Sequence, residues 1–168
     1  MRVSSLAAAG FPAILVGHLS GVFTESRTVA ATPEQVWEVL SDGWLFPVWV
    51  VGATSMRDVD AHWPAVGARL HHALGAWPLI LADTTSVVSS EPLRLLELEA
   101  RTGLAGSARV RMKLRAVPEG TEVTMQEDAS HGPLRFIPRP LRWAMVVPRN
   151  KECLLRLARL VEGRARDA

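Results

Sequence analysis

Residues 31–42 have the sequence ATPEQVWEVLSD, which contains a complete signal for the start of a helix. Thr32 is a suitable N-cap and is followed by a proline, which fits the first helical position. Gln35 stands three residues after Thr32, as a capping box requires. Val36 and Leu40 then give the helix an apolar side. The sequence therefore predicts a short amphipathic helix at this point.

Short elements are also predicted on both sides of this helix. Residues 22–29 alternate apolar and polar side chains in the manner of a half-buried strand. The helix should end near the Asp-Gly pair 42–43, because glycine and aspartate favour a turn there. Residues 44–49, with the sequence WLFPVW, then predict a second short helix or an aromatic-rich loop.

The middle of the chain is predicted to be rich in β-strands. Short segments containing Gly, Pro or Glu separate runs of alternating side chains. Because these connections are too short for a crossover, successive strands must be antiparallel. The predicted strands are Ser55–Val59, Arg69–Leu74, Leu79–Val88, Leu93–Arg101, Ala108–Ala116 and Glu122–Ala129.

The hairpin formed by the last two predicted strands has one apolar face and one charged face. Its charged face contains Arg109, Arg111, Lys113 and Arg115, opposite Glu122 and Asp128. Opposite charges on paired strands stabilise a sheet, so we interpret the basic row as a solvated face and predict no nucleic-acid partner. Glu127 is left on the apolar face, where a carboxylate is costly unless it meets a partner or a ligand.

A long helix is predicted at the carboxyl end. Leu154, Leu157 and Val161 follow the spacing of a core-facing stripe, and Asn150 falls on the same stripe one turn earlier. Pro148 should start or kink this helix, so residues 141–147 are expected to form a separate turn or an angled first segment.

Composition narrows the class of protein. The chain has 168 residues, 48% of them hydrophobic, which fits one globular domain with a substantial core. Nineteen basic residues against 17 acidic ones give a net charge of only +2. The single cysteine, Cys153, excludes an internal disulfide and a cysteine-rich zinc site. Six Trp and no Tyr are present, so tyrosine is unavailable as a catalytic acid.

The amino-terminal residues 1–21 are predicted to be an extension to a single domain at residues 22–166. Residues 3–24 carry no formal charge, but glycine, proline, serine and histidine interrupt the apolar run, so we predict no stable membrane insertion. We expect a cytoplasmic protein. The alternative is an exported or membrane-associated protein in which residues 1–21 act as a signal peptide or weak anchor.

The order of elements and four short motifs resemble the SRPBCC superfamily, specifically its polyketide cyclase/dehydrase-like branch. These motifs are residues 31–42, Pro47-Val48-Trp49, residues 66–69 (VGAR) and residues 120–124 (GTEVT). The resemblance implies an α+β helix-grip fold, in which a curved antiparallel sheet of about seven strands wraps around the long C-terminal helix. It also implies an apolar cavity between the sheet and that helix. Fold alone does not determine function, because the superfamily includes binders, cyclases and lipid-transfer domains.

A search for catalytic motifs finds no phosphate-binding loop, no metal-ligand spacing and no nucleophile elbow, so neither a cofactor nor a metal is predicted. The inward face of the predicted strands carries His72 and Asp83, whereas His71 should face solvent. Together with Glu127, these are the candidate catalytic residues. His72 is a candidate general base, and its alternative role is that of a half-buried hydrogen-bonding histidine.

Candidate ligand-binding residues follow from the same pattern. Three tryptophans lie next to Gly or Pro, in segments that the resemblance places at the cavity mouth, where an indole ring can cover a ligand. Other candidates lie on the apolar strand faces and on the stripe of the C-terminal helix. The full set is Trp44, Trp49, Trp77, Met112, Met125, Asn150 and Leu154.

Three functions remain open from the sequence. The leading hypothesis is binding of a small hydrophobic molecule, lipid-like, aromatic or polyketide-like. The second is a cofactor-free cyclase or dehydratase that uses the inward acid and base residues. The third is a helix-grip module that modulates a partner. The sequence does not indicate an oligomeric state.

Overall fold

The computed structural model describes residues 22–76, 79–101, 106–132 and 136–167. The predicted amino-terminal extension and Trp77 lie outside the described residues.

The described residues form seven β-strands and three α-helices. In chain order they are β1 Phe23–Val29, α1 Pro33–Ser41, a 3₁₀-helix Gly43–Leu45, α2 Phe46–Trp49, β2 Ala53–Val59, β3 Arg69–Ala76, β4 Leu79–Glu91, β5 Leu95–Arg101, β6 Ser107–Val117, β7 Gly120–His131 and α3 Arg139–Asp167. Each predicted strand is present, and the boundaries differ from the predicted ones by up to three residues.

The strands form one antiparallel sheet with the order β1-β7-β6-β5-β4-β3-β2. Strands β2 to β7 follow one another as a meander, and β1 closes one edge by pairing with β7. Helix α3 packs against β1 and β7, and α2 packs between α3 and β2. This is the predicted α+β helix-grip architecture, with the core between the sheet and its helices.

The capping box before α1 is formed as predicted. The N–H of Gln35 donates to Thr32 Oγ1 (3.4 Å), and the N–H of Thr32 donates to Gln35 Oε1 (3.0 Å). At the other end, Asp42 Oδ1 accepts from the N–H of Trp44 (3.0 Å), which ends α1 and starts the 3₁₀-helix. These polar caps orient the apolar side of α1, where Val36 and Leu40 are buried.

The β6–β7 hairpin has the predicted register. Arg115 lies opposite Glu122 and forms an ion pair with it (2.8 Å). Arg109 and Arg111 instead approach Glu97 of β5, at 3.5 and 3.1 Å. The basic row is therefore paired with carboxylates of both neighbouring strands.

The prediction that residues 141–147 form a separate turn is wrong, because α3 is continuous from Arg139 to Asp167 with Pro148 inside it. The alternative, an angled first segment of this helix, stays a prediction. A proline within a helix removes one hydrogen bond, to the carbonyl four residues earlier. Here that carbonyl belongs to Ala144, and both residues are solvent-exposed. Water can therefore satisfy the carbonyl, so the helix continues through the proline.

The turn between β6 and β7 depends on Gly120. Its φ is +132°, and a Cβ built there would lie 2.2 Å from the carbonyl oxygen of Val29. The end of β1 can approach the turn only because this residue lacks a side chain. Thr121 then donates from Oγ1 to the carbonyl of Ala31 (2.8 Å) and joins the turn to the corner before α1.

We predict that Gly120→Ala destabilises the fold strongly. The matched control is Gly67→Ala, since Gly67 also has a positive φ (+86°) but has open space around its Cα. The control should lose about 1–3 kcal/mol from backbone strain alone. Gly120→Ala should lose a further 1–3 kcal/mol, roughly, from the clash. Urea unfolding measures both, and equal losses would contradict this role for Gly120.

Candidate functional site

A cavity of about 240 Å³ lies between the sheet and the helices α2 and α3. Ligand pockets commonly range over roughly 300–1,000 Å³, so this one suits a small molecule. Most of its lining is apolar. The lining residues are Phe46, Trp49, Val50, Val51, His72, Asp83, Thr85, Leu98, Ala100, Ala108, Val110, Met125, Glu127, Met145, Val146, Arg149 and Cys153.

The cavity exists because side-chain volume falls along the strands. In β6, the fully buried Met112 is followed towards the cavity by Val110 and then Ala108. In β5, Leu96 and Leu98 are followed by Ala100, which lies directly opposite Ala108. Small side chains on neighbouring strands leave unfilled space under α3, whereas native interiors are otherwise close-packed.

One end of the cavity carries a polar cluster on β3 and β4. His72 and Asp83 are register partners, and both are buried. His72 Nε2 lies 2.9 Å from Thr85 Oγ1, and Asp83 Oδ1 accepts from the N–H of Thr84 (2.7 Å). Within the described part of the chain, His72 Nδ1 and Asp83 Oδ2 have no hydrogen-bond partner. Each therefore keeps one polar atom available to a ligand.

Burial shifts the pKa values of the two titratable groups in this cluster. Desolvation lowers the pKa of His72 and raises the pKa of Asp83, because it disfavours the charged form of both groups. The N–H of Thr84 opposes the Asp83 shift but is the smaller effect. At neutral pH His72 is consequently a neutral imidazole that can accept a proton, and the Asp83 carboxyl holds its proton more firmly than an exposed aspartate.

A second polar cluster joins β7 to α3. The buried carboxylate of Glu127 forms an ion pair through Oε2 with Arg149 Nη2, and Arg149 also donates to Asn150 Oδ1 (3.3 Å). This arrangement accounts for a carboxylate on the apolar face of β7, because a buried charge needs a partner. Asn150 is fully buried, and among the described residues its Nδ2 has no partner.

Aromatic rings form the wall contributed by α2. Phe46 makes an edge-to-face contact with Trp49 (centroids 5.5 Å apart), and its ring lies 5.1 Å from the His72 ring. The side chains of Phe46 and Trp49 are both buried. Cys153 also lines this side, where its Sγ accepts from the N–H of Val51 (3.3 Å). Burial raises the pKa of the Cys153 thiol, which makes it a poor nucleophile.

The structure brings together several, but not all, of the predicted site residues. His72, Asp83, Glu127, Trp49 and Met125 line one cavity. His71 faces outward, as predicted, 3.9 Å from Asp60.

Four other candidates do not line this cavity. Trp44 is 57% exposed and does not line it, because the 3₁₀-helix turns its side chain to solvent. Met112 and Leu154 are buried in the filled half of the core. Asn150 lies beside the lining residue Arg149 rather than in the lining itself.

Sequence reasoning missed Arg149, Thr85 and Phe46. The buried position of Glu127 called for a cationic partner, and Arg149 one turn before Cys153 was available. Thr85 has the same strand parity as Asp83 and was expected to face inward, but it was not named as a site residue. Phe46 was assigned only to an aromatic-rich segment, because a four-residue helix has too little periodicity to orient its side chains.

An antiparallel sheet, a long helix across it and a ligand-sized cavity between them define a helix-grip protein. The family described as "Polyketide cyclase / dehydrase and lipid transport" matches residues 20–162. The chain belongs to this family, which lies within the SRPBCC superfamily that its motifs resemble. A search of curated proteins found no match.

Solved structures share the fold at low sequence identity. The di-domain ARO/CYC StfQ from the steffimycin biosynthetic pathway is 12% identical with a TM-score of 0.68, and the match covers 86% of this chain and 51% of that one. Ara h 8.0201 is 13% identical, with a TM-score of 0.64 and coverages of 83% and 96%. TTHA0849 from Thermus thermophilus is 16% identical, with a TM-score of 0.65 and coverages of 83% and 96%.

The described residues were also compared with the requirements of a membrane-spanning helix and of a metal site. None of the helices in these ranges combines the length and apolarity that crossing a membrane requires. In the same part of the chain, no three His, Cys, Asp or Glu side chains are grouped as metal ligands would be.

We predict that Asp83→Asn stabilises the protein at pH 7. Because the folded-state pKa of Asp83 is raised, the folded protein binds more protons than the unfolded chain between the ordinary and the raised pKa. Wild-type stability therefore falls as pH rises through this window, and the amide removes that fall. The expected gain is a few degrees in Tm, since about 1 kcal/mol corresponds to roughly 2–4 °C in a domain of this size.

The matched control is Asp58→Asn. Asp58 Oδ1 also accepts from the next residue's N–H (2.9 Å), but Asp58 is exposed. Thermal unfolding at pH 4 and pH 7 should show a gain for Asp83→Asn that shrinks at pH 4, and little effect for Asp58→Asn. An equal gain at both pH values would rule out burial of the charge as its cause.

Proposed function

We propose that this protein binds a small, predominantly apolar molecule in the cavity between the sheet and α3. The observation that carries the proposal is an apolar cavity with a polar cluster at β3–β4 and another at β7–α3. Apolar walls supply the driving force for such a ligand, and a few placed polar groups orient it. Membership of a family described in terms of polyketide cyclases and lipid transport supports the same proposal.

The polar clusters narrow the chemistry of the ligand. The Glu127–Arg149 pair is internally compensated, and burial favours the neutral forms of His72 and Asp83. An anionic ligand would therefore find no unpaired cation among the described residues of this lining. The arrangement favours an uncharged molecule with an aromatic or hydrocarbon body and carbonyl or hydroxyl groups, such as a lipid-like or polyketide-like compound.

We predict that filling the cavity weakens binding. Ala108 lies directly opposite Ala100, and both line the cavity, so Ala108→Leu places a larger side chain in the unfilled space. Affinity for the apolar dye Nile red should fall at least about tenfold, because each excluded methylene-sized volume is worth roughly 0.8 kcal/mol. Dye emission on titration measures the affinity.

Ala116→Leu is the matched control, because Ala116 is exposed on the same strand and does not line the cavity. The dye should also quench tryptophan emission in wild type. This quenching should weaken in Trp49→Phe and persist in Trp44→Phe, since Trp49 lines the cavity and Trp44 does not. Unchanged affinity in Ala108→Leu would exclude this cavity as the binding site.

A second candidate function, cofactor-free cyclisation or dehydration, is favoured by the His72–Asp83 pair. A neutral His72 can remove a proton from a carbon between two carbonyls, and the resulting enolate carbon can attack another carbonyl of the same molecule. The new alkoxide oxygen then takes this proton back from the His72 imidazolium, beside which Asp83 lies as the register partner at the same end of the cavity. Loss of water would complete a dehydration.

We predict that, if the protein is such an enzyme, His72→Gln lowers turnover by about 10²-fold or more while Nile red affinity stays within twofold, since general base catalysis contributes roughly 10²–10⁴-fold. Glutamine can retain a hydrogen bond to Thr85, and His71→Gln is the matched control because His71 faces outward. The assay follows conversion of a linear methyl-capped tetraketone into an aromatic product by its absorbance. Equal rates with His72→Gln and wild type would exclude the catalytic role and leave the binding function intact.

A further inference from the structure

Asp83 has a buried carboxyl group that no cation of the described structure neutralises. Its side chain lines the cavity and is 5% exposed. Among the described residues, the carboxyl group makes one hydrogen bond, in which Oδ1 accepts from the N–H of Thr84. Arg57 lies nearby, but it donates to the main-chain carbonyl of Asp83 (3.5 Å) and not to the carboxyl group. A charged carboxylate in this position would be costly.

A second buried carboxyl group lines the cavity and provides a contrast. Glu127 is 7% exposed, and Arg149 reaches it from α3 to form an ion pair. A buried carboxylate with such a partner can stay charged. Asp83 has no equivalent partner in the described part of the chain, and burial raises its pKa. The environments of the two carboxyl groups therefore favour a charged Glu127 and a neutral Asp83.

The hydrogen bond from Thr84 determines which oxygen of a neutral Asp83 carries the proton. Because Oδ1 accepts from this N–H, it acts as the carbonyl oxygen of the acid. The proton is therefore on Oδ2, which has no hydrogen-bond partner within the described residues. His72, the register partner of Asp83, does not accept it, since His72 Nδ1 is also unpartnered. A neutral Asp83 consequently holds a free O–H donor at the cavity wall.

Free atoms at the other end of the cavity are donors as well. Arg149 lines the cavity, and its Nε has no hydrogen-bond partner among the described residues; the same holds for Nδ2 of the fully buried Asn150. Both groups can only donate. With Asp83 neutral, only His72 Nδ1 among these four free atoms can act as an acceptor, and only in one tautomer. A ligand with acceptor oxygens therefore complements this cavity better than a ligand with many donors.

We propose that protonated Asp83 donates a hydrogen bond from Oδ2 to a carbonyl oxygen of the bound molecule. The inference rests on the proposed binding function and narrows its ligand to a carbonyl compound, such as a ketone or a quinone. A carbonyl oxygen accepts hydrogen bonds and has no hydrogen of its own that would need a buried acceptor. In the second candidate function, the same donor would stabilise the negative charge that develops on an enolate oxygen.

Two probes of the same shape test this contact. Fluorenone has a carbonyl group where fluorene has a methylene group, so the ratio of their affinities isolates the contribution of the carbonyl oxygen. Displacement of Nile red from the full chain at neutral pH measures both affinities. Asp83→Leu removes the donor and should lower the preference for fluorenone roughly three- to tenfold, which is the net effect of one hydrogen bond.

A conservative variant and a matched control complete the set. Asp83→Asn should keep the preference within about twofold, because an amide can accept from Thr84 through Oδ1 and donate through Nδ2. Asp58→Leu should leave the preference unchanged, since Asp58 also accepts from the next residue's N–H but is exposed and does not line the cavity.

Infrared spectra give a second measurement, which does not depend on the folding of Asp83→Leu. Wild type should show a carboxylic-acid carbonyl band that is absent from Asp83→Asn, and this band should shift when fluorenone binds but not when fluorene binds. The carbonyl band of fluorenone should move to lower frequency in the complex, as it does on accepting a hydrogen bond.

The outcomes separate this inference from the proposed function. Absence of the carboxylic-acid band overturns the inference, as does an unchanged preference in Asp83→Leu. A preference that rises in Asp83→Asn also overturns it, because an ionised Asp83 would repel the carbonyl oxygen and the amide would not. All three results leave binding in the cavity intact. Failure of Nile red, fluorene and fluorenone to bind wild type would overturn the proposed function, and this inference with it.

Discussion

The packing of the C-terminal half of α3 against the sheet is the contact on which the rest of the structure depends. Leu154, Leu157 and Val161 fill the space over the strands together with Met112 and Val123. Glu162 reaches from the same half of the helix to the N–H of Ala30 (3.1 Å) and holds the corner between β1 and α1. With this half anchored, the other half of α3 can extend over small side chains and polar groups, and a cavity remains beneath it.

Several polar groups at the cavity are buried in a way that lowers the stability of the fold. A buried polar atom without a partner costs free energy, and at this cavity His72, Asp83, Arg149 and Asn150 each have one within the described structure. Four of the six such atoms among the described residues lie at or beside one cavity, and stability alone does not explain this concentration. Residues that lower local stability are typical of functional sites. The site therefore agrees with a role in contacting a ligand.

Local sequence signals predicted most of the fold. The capping box at Thr32, the alternation in β6 and the carboxylates opposite its basic row all depend on residues close in sequence or directly paired, and each was found. Pro148 was misjudged because the cost of a proline depends on whether water can reach the carbonyl of Ala144, which only the tertiary structure reveals.

Predictions for the site were accurate only where strand parity determines direction. Parity correctly turned His72 and Asp83 inward. It does not indicate how far along a strand the core is filled, so Met112 and Leu154 were expected at the cavity although they belong to the packed core. Trp44 lies on a three-residue helical turn, where sequence spacing carries little information about orientation.

The proline in α3 has a consequence for the motions of the molecule. Residues before Pro148 bury few side chains, and the hydrogen-bond ladder of the helix is already interrupted at Ala144. Local unfolding is least costly where buried apolar contacts are few and backbone hydrogen bonds face solvent. The first turns of α3 can thus open while the residues after Cys153 stay folded, and Met145 and Val146 in those turns form part of the cavity wall. A small molecule bound beneath α3, as we propose, would therefore exchange with its surroundings without global unfolding.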